Sequence, residues 1–266
     1  MKYILLFFLV LLIFADCSHK TQLEYRPEFK IYFDEYNVEG SFLLFDFQKN
    51  TTLIYNKEKS HEEFLPASTF KILNTLIGLE TGIVTGEDFV IPWDSVPRQI
   101  PVWNRDHNLA SAFQNSVVPW YQELARRIGL EKMQLWVAKS NYGKMDVNNE
   151  NIDLFWLTGK SRISPQEQLE FQKRLVKNKL PFSQSNIDLV KKIMILEETP
   201  NYIFRGKTGW AVMNEKNIGW LVGYLERDSK IYAYAICVES GDENISEFPK
   251  SRIEISHKIF KQLSLM

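Results

Sequence analysis

The chain is short of the residues that staple or metallate a fold. Two cysteines, Cys17 and Cys237, occur in 266 residues. A disulfide framework is thereby excluded in practice. Cys237 sits in the apolar run Tyr232–Val238 and is expected to be a buried core thiol. The four histidines, at 19, 61, 107 and 257, have no metal-ligand spacing, which argues against a metallohydrolase and predicts no metal. His107 is instead expected to pack or hydrogen-bond. Lys and Arg number 32 against 33 Asp and Glu, a net charge of -1. There is no basic stripe for nucleic acid and no acidic tail for a partner. Internal repeats, low-complexity tracts and long linkers are absent as well. The first 20 residues hold one long apolar run, Tyr3 to Phe14, too short for a comfortable membrane span. With Lys2 before it, the run reads as a signal peptide over residues 1–17, with cleavage after Cys17 and Ala15 at the third position back. Lipidation of Cys17 is the alternative, against which Phe14 and Asp16 make a poor lipobox. The expectation is a secreted chain, 18–266, with no membrane span after processing.

What is present suits one sizeable enzyme-like body. Apolar residues make up 45% and aromatics 14% of the chain, ample for one large core or two lobes. Residues 18–27 read as a polar, mobile N-terminus. Ser41–Phe47 and Thr51–Tyr55 read as a hairpin turning at Lys49-Asn50. From Ser68 to about Glu198 the pattern is mainly helical. Helical spacing is clear over Gln166–Leu180 and Ser185–Ile195, with Ser164 as N-cap and Pro165 at N1. Three strands then form a meander, Tyr202–Val212, Ile218–Leu225 and Ile231–Val238, and a helix over Arg252–Leu263 closes the chain. Strands from both chain ends enclosing a helical insertion predict an α+β, two-lobed fold with its site in the cleft between lobes.

Three short motifs carry chemistry. The first is Ser68-Thr69-Phe70-Lys71, behind Phe64-Leu65-Pro66-Ala67 and ahead of the apolar helix Ile72–Leu79. Spacing of i and i+3 places the hydroxyl and the amine on one helical face. Among Phe70, Ile72 and Leu73 the amine is desolvated, which lowers a lysine pKa. A neutral or modified lysine can take the serine proton; an ammonium cannot. This S-x-x-K spacing marks penicillin-binding serine enzymes, but alone it is equally a capping serine followed by a surface lysine. The second is Ser116-Val117-Val118, before Pro119, whose hydroxyl suits proton delivery to a leaving amine. The third is Lys207-Thr208-Gly209 on the first meander strand: a charge, a hydroxyl and room for a ligand against the backbone.

The order S-x-x-K, S-x-V, K-T-G is far more specific than any one motif. With Pro66-Ala67-Ser68-Thr69-Phe70-Lys71, Trp103-Asn104-Arg105-Asp106-His107-Asn108-Leu109, Glu123–Gly129 and Phe155-Trp156-Leu157, the chain resembles the class D (oxacillinase-type) serine β-lactamases from about Gly40 onward. The resemblance implies a penicillin-binding transpeptidase-like fold, with an antiparallel sheet from both chain ends plus a helical lobe. It implies hydrolysis of penicillin-type β-lactams through a Ser68 acyl-enzyme, hence antibiotic resistance and a periplasmic location. Lys71 would be N6-carboxylysine, a carbamate from carbon dioxide acting as general base, with no other cofactor. Phe70, Val118 and Trp156 would form its pocket, Trp156 giving its indole N–H, a donor only. Ser116 would protonate the leaving nitrogen. Lys207, Thr208, Gly209 and Trp210 would line the substrate, the backbone N–H groups of Ser68 and Trp210 forming an oxyanion hole. Arg252 would clamp the substrate carboxylate.

One departure stands out. Where the family has Tyr/Phe-Gly-Asn, this chain has Tyr142-Gly143-Lys144, which bears on the loop leading to Trp156. Thr158 also stands where relatives often carry an acid. Two other readings stay open. One is a β-lactam sensor domain that remains acylated; such sensors are fused to a membrane-embedded protease part, which this short chain lacks. The other is a cell-wall D,D-peptidase, whose usual polar third residue is replaced by Val118. The expected partner is a small β-lactam, with no nucleic acid; monomer and homodimer are both open.

Overall fold

A computed structural model describes residues 21–241 and 246–266, so the proposed leader and Cys17 lie outside the described residues. The strands are β1 (Gln22–Tyr25), β2 (Glu39–Asp46), β3 (Thr51–Tyr55), β4 (Val90–Ile91), β5 (His107–Asn108), β6 (Ile195–Glu198), β7 (Tyr202–Met213), β8 (Lys216–Arg227) and β9 (Lys230–Ser240). The helices are α1 (Lys30–Asp34), α2 (Lys57–His61), α3 (Lys71–Glu80), α4 (Leu109–Gln114), α5 (Val118–Ile128), α6 (Leu130–Ser140), α7 (Pro165–Val176), α8 (Gln184–Ile193) and α9 (Phe248–Gln262).

Seven strands form one sheet in the order β1-β3-β2-β9-β8-β7-β6. Both chain ends feed it, as the sequence pattern predicts. Its central strands are apolar on both faces because helices cover both, so they read as continuous hydrophobic runs. Alternation sorts the side chains. On β2, Leu43 and Phe45 join the core under the helical lobe, while Phe42 and Leu44 join a second core with α1 and α9. On β9, Ala233, Ala235 and Cys237 face the first core, and Tyr234, Ile236 and Val238 the second. Cys237 is buried and unpaired, as expected.

Four details differ from the sequence reading. Residues 18–27 were expected to be mobile, yet Gln22–Tyr25 pairs with Thr51–Ile54 as a parallel edge strand, in a sheet otherwise antiparallel. Its backbone uses hydrogen-bond groups on the open side of β3, and buried Phe29 behind it anchors the segment edge-on to Phe42. Helix α8 stops at Ile193, and Ile195 starts β6 instead. Ser68 lies in a 3₁₀ turn, Ala67–Phe70, ahead of α3 rather than in its first α turn. Residues i and i+3 eclipse in that geometry, so the Ser68–Lys71 alignment is kept. Arg252 lies one turn inside α9, which begins at Phe248. The Ser164-Pro165 start of α7 is as predicted, with a full capping box to Glu167.

Candidate active site

Helix α3 is buried from Lys71 to Leu79, polar residues included. Its first residue is therefore a lysine with no solvent exposure at all. Lys71 Nζ stands 2.6 Å from Ser68 Oγ. Burial, and then the charge of Lys207, hold the Lys71 amine well below the usual lysine range. Ser68 is only half-buried, whereas its partner is fully buried.

Aromatic rings surround the turn. Phe70 stacks on Trp156 at 5.5 Å between centroids and meets Phe155 edge-on at 4.8 Å. Trp156 is fully buried, and its Nε1 has no hydrogen-bond acceptor among the described residues. On another side the ring of Tyr121 lies 5.3 Å from Lys71 Nζ. Tyr121 comes from α5, so the segment that begins with Ser116 and Val118 meets Lys71 through this ring. Ser116 follows α4 and its C-cap Asn115 in the left-handed region, φ 52°, and turns the chain toward α5. Val118 opens α5 and is half-buried.

Strand β7 forms the facing wall. Lys207 is 3% exposed and sits 5.6 Å from the ring centroid of Phe113, three residues before Ser116. Its pKa is pushed down to about 7, chiefly by burial and then by Arg252. Arg252 is itself pushed down to about 10 by burial, and its Nε and Nη1 have no acceptor among the described residues. Lys71, Lys207 and Arg252 are thus three buried basic side chains, Lys207 close enough to each of the other two to interact with it electrostatically. Thr208 is half-buried beside Lys207. A cleft of about 350 Å³ opens there, walled also by Phe113, Gln114, Ile193, Ile195 and Leu196. Gly209 faces the Ser68 turn, and the Trp210 ring is 40% exposed.

The site is lined by basic side chains, half-exposed at Ser68 and Thr208 and apolar behind the amine. Such a place suits an anionic amide-containing ligand and a serine activated by its neighbour. Among the described residues no group of three or more His, Cys, Asp or Glu is placed to hold a metal ion. His107 bonds through both ring nitrogens, to Ser111 Oγ at 3.0 Å and Val102 O at 2.7 Å, as a packing residue does. Lys144 is exposed and pairs with Glu63 at 2.7 Å. The loop bearing it is held by backbone pairing with Arg162 instead, at 2.7 and 2.8 Å.

Sequence reasoning gave no role to Tyr121 or to the buried Thr69, Tyr142 and Gln168. Gln168 and Gln172 carried a usable signal: two amides, one turn apart, on the inward face of α7.

The chain matches the family model for the penicillin-binding protein transpeptidase domain over residues 37–264. It is 39% identical over 229 residues to the β-lactamase OXA-48 of Klebsiella pneumoniae, covering 86% of each chain. Its structure is similar to that of the class D β-lactamase YbXI from Nostoc, with a TM-score of 0.86 and 41% identity, over 91% of this chain and 100% of that one. It is also similar to the C-terminal domain of the Bacillus licheniformis BlaR penicillin receptor, with a TM-score of 0.86 and 32% identity, over 93% and 98%. A serine and a buried lysine in contact, faced by Lys-Thr-Gly, and these likenesses over nearly the whole described chain give one conclusion: the chain belongs to the class D serine β-lactamases.

Proposed function

We propose that the chain hydrolyses the amide of penicillin-type β-lactams by way of an ester on Ser68, and so confers resistance. The observation that carries this is the 2.6 Å contact between Ser68 Oγ and an amine held far below its ordinary pKa. Ser68 Oγ attacks the lactam carbonyl carbon and gives up its proton on the Lys71 side. The oxyanion is met by the N–H groups of Ser68 and Trp210. The carbon–nitrogen bond breaks, and Ser116 supplies the proton the leaving nitrogen takes. Water then attacks the ester, releases the acid and restores Ser68. Arg252 and Lys207 hold the substrate carboxylate, and Thr208 orients it.

The residues fit a carbamate on Lys71. Burial lowers the pKa of the amine and so favours the neutral form that takes up carbon dioxide, and the buried, acceptor-free indole N–H of Trp156 suits an anionic oxygen. Such a group would supply an anionic general base for both half-reactions. Phe70 and Val118 would wall it from water. Secretion to the periplasm, with residues 1–17 removed or Cys17 lipidated, is part of the same proposal. Among the described residues no helix is long and apolar enough to cross a membrane.

The likeness to the BlaR receptor domain favours a second reading, a sensor that is acylated and stays so. Time-resolved mass spectrometry with a penicillin separates them. A transient adduct on Ser68 with accumulating penicilloic acid is expected; a persistent adduct without product makes the chain a sensor. No adduct in the wild type, or the same adduct in Ser68→Ala, removes the serine mechanism.

A further inference from the structure

The turn that carries Ser68 is not a relaxed one. Ala67 has φ 48°, in the left-handed region that a residue with a Cβ disfavours. Something must hold it there, and Thr69 is where the restraints meet. Its side chain is fully buried and its hydroxyl donates to the Pro66 carbonyl at 2.6 Å, closing the turn over Ala67 and Ser68. With its one hydrogen spent, Thr69 Oγ1 accepts from Gln168 Nε2 at 2.7 Å. The same nitrogen donates to Tyr142 Oη at 3.0 Å, and Tyr142 Oη lies 3.1 Å from Thr69 Oγ1. An uncharged side chain with two donors on one nitrogen is an amide, so Gln168 fits a place that must serve two hydroxyls at once. Gln168 lies one residue past the capping box of α7, a helix packed across β2, β8 and β9, so its anchor is rigid. On its other side Thr69 presents Cγ2 to Gly209 of the Lys-Thr-Gly strand.

We infer that Gln168 is a positioning residue for Ser68: acting through Thr69, it holds the Pro66–Ser68 turn so that the Ser68 N–H and Oγ keep their places opposite Gly209. The inference rests on the Ser68 acyl-enzyme reading. It predicts a loss in the step that uses this N–H and Oγ, not in substrate binding.

The test compares Gln168→Met, which keeps volume and loses both donors, with Thr69→Val and Thr69→Ser. Stopped-flow acylation by a chromogenic penicillin gives the rate and the non-covalent Kd. Affinity for a boronic acid reports the oxyanion site, because its tetrahedral adduct sets an oxygen there. Gln168→Met and Thr69→Val are each expected to slow acylation and weaken boronate binding by about tenfold to a hundredfold, with Kd unchanged. The double variant should lose no more than either alone, since the two act as one unit. Thr69→Ser, which keeps the hydroxyl, should keep the rate. A folded Gln168→Met that acylates at the wild-type rate overturns the inference, as do losses that multiply in the double variant. Should Gln168→Met not fold, the threonine pair decides: equal losses in Thr69→Ser and Thr69→Val overturn it. A wild type that is never labelled on Ser68 strikes the acyl-enzyme reading instead.

Discussion

Gly209 faces the backbone nitrogen of Ser68 so closely that a Cβ on residue 209 would stand 3.3 Å from it, and 3.2 Å from Thr69 Cγ2. The glycine lies in mid-strand, paired with Trp220, where its missing side chain weakens β7. The nucleophile turn supplies the reason: it packs on the strand at that point. Two parts of the site far apart in sequence are thereby set against each other, Gly209 against the Thr69 methyl and the backbone of Pro66 and Ser68.

Gly209→Ala follows directly. The added methyl meets Pro66 O and Ser68 N, both backbone, and Pro66 O is held by the Thr69 hydroxyl, so the turn yields poorly. Hydrolysis of a chromogenic penicillin is expected to fall by about tenfold or more in kcat/KM, with the melting temperature little changed. Unchanged kinetics in the variant would show that the turn moves aside freely.

Arg252→Ala tests the carboxylate clamp. A clamp holds ground and transition states alike, so KM should rise more than kcat falls. A charge-assisted hydrogen bond contributes about 1.5–3 kcal/mol, which is roughly a tenfold to hundredfold loss in kcat/KM. Collapse of kcat at constant KM would assign Arg252 another role.

Lys207 should leave a signature in stability against pH. Its folded pKa of about 7 lies below the ordinary 10.5, so between those values the unfolded chain binds the extra proton. Stability then rises with pH across that window, and the contribution of Lys207 to the slope vanishes below about 7. Lys71, also lowered, adds to the slope in the same sense. Urea midpoints measured across this range should climb less steeply in Lys207→Met than in the wild type. Equal slopes would mean that Lys207 keeps its proton in the fold.

Much of this site was legible because chemistry fixed it locally. Ser68 and Lys71 sit one turn apart, and the buried run Ile72–Leu79 announces that the amine is desolvated. Lys207-Thr208-Gly209 was placed on a strand by the β-prone residues around it. Ser164-Pro165 marked the start of α7. What did not show was what depends on long-range packing. Thr69 and Gln168 are 99 positions apart, and nothing local tells a capping threonine from one held by a distant amide. The parallel pairing of Gln22–Tyr25 was hidden for the same reason: its polar–apolar alternation is only four residues long and Leu23 and Tyr25 stay exposed, so no buried face marks the backbone pairing with β3.

Lys144 stands where the resemblance led to the expectation of an asparagine, and the expected cost of the difference is small. Its ammonium reaches an exposed pairing with Glu63, the kind of contact that adds little to stability. The loop is carried by the Lys144–Arg162 backbone pairing and by Gly143, whose φ of 57° puts a would-be Cβ 2.5 Å from Arg162 O. Lys144→Ala should leave the melting temperature and kcat/KM near wild type, while Gly143→Ala should lower both. A large loss in Lys144→Ala would mean that the ion pair itself holds the loop leading to Trp156.

Lys71 and Trp156 give the prediction with most at stake. A carbamate forms only from a neutral amine, and protonation reverses it. Burial, and then the charge of Lys207, lower the Lys71 pKa and so favour the neutral amine, while the Trp156 N–H, stacked on Phe70, offers a donor in an apolar place. Stripping carbon dioxide from mildly acidic buffer is therefore expected to lower activity, most steeply at low pH, and added bicarbonate to restore it. Isotope-labelled bicarbonate should give a carbamate carbon signal in the wild type that is missing from Lys71→Ala, a readout independent of turnover. Trp156→Phe keeps the ring and removes the donor, so it should weaken the signal and raise the bicarbonate needed for full activity. Val118→Asp should do more, because a carboxylate at the start of α5 favours the ammonium of Lys71 and repels an anion there. Acylation should suffer less than deacylation in that variant, leaving an ester trapped on Ser68. Activity indifferent to bicarbonate, with no carbamate signal, would leave the bare amine as the base and assign the orphan N–H of Trp156 to packing alone.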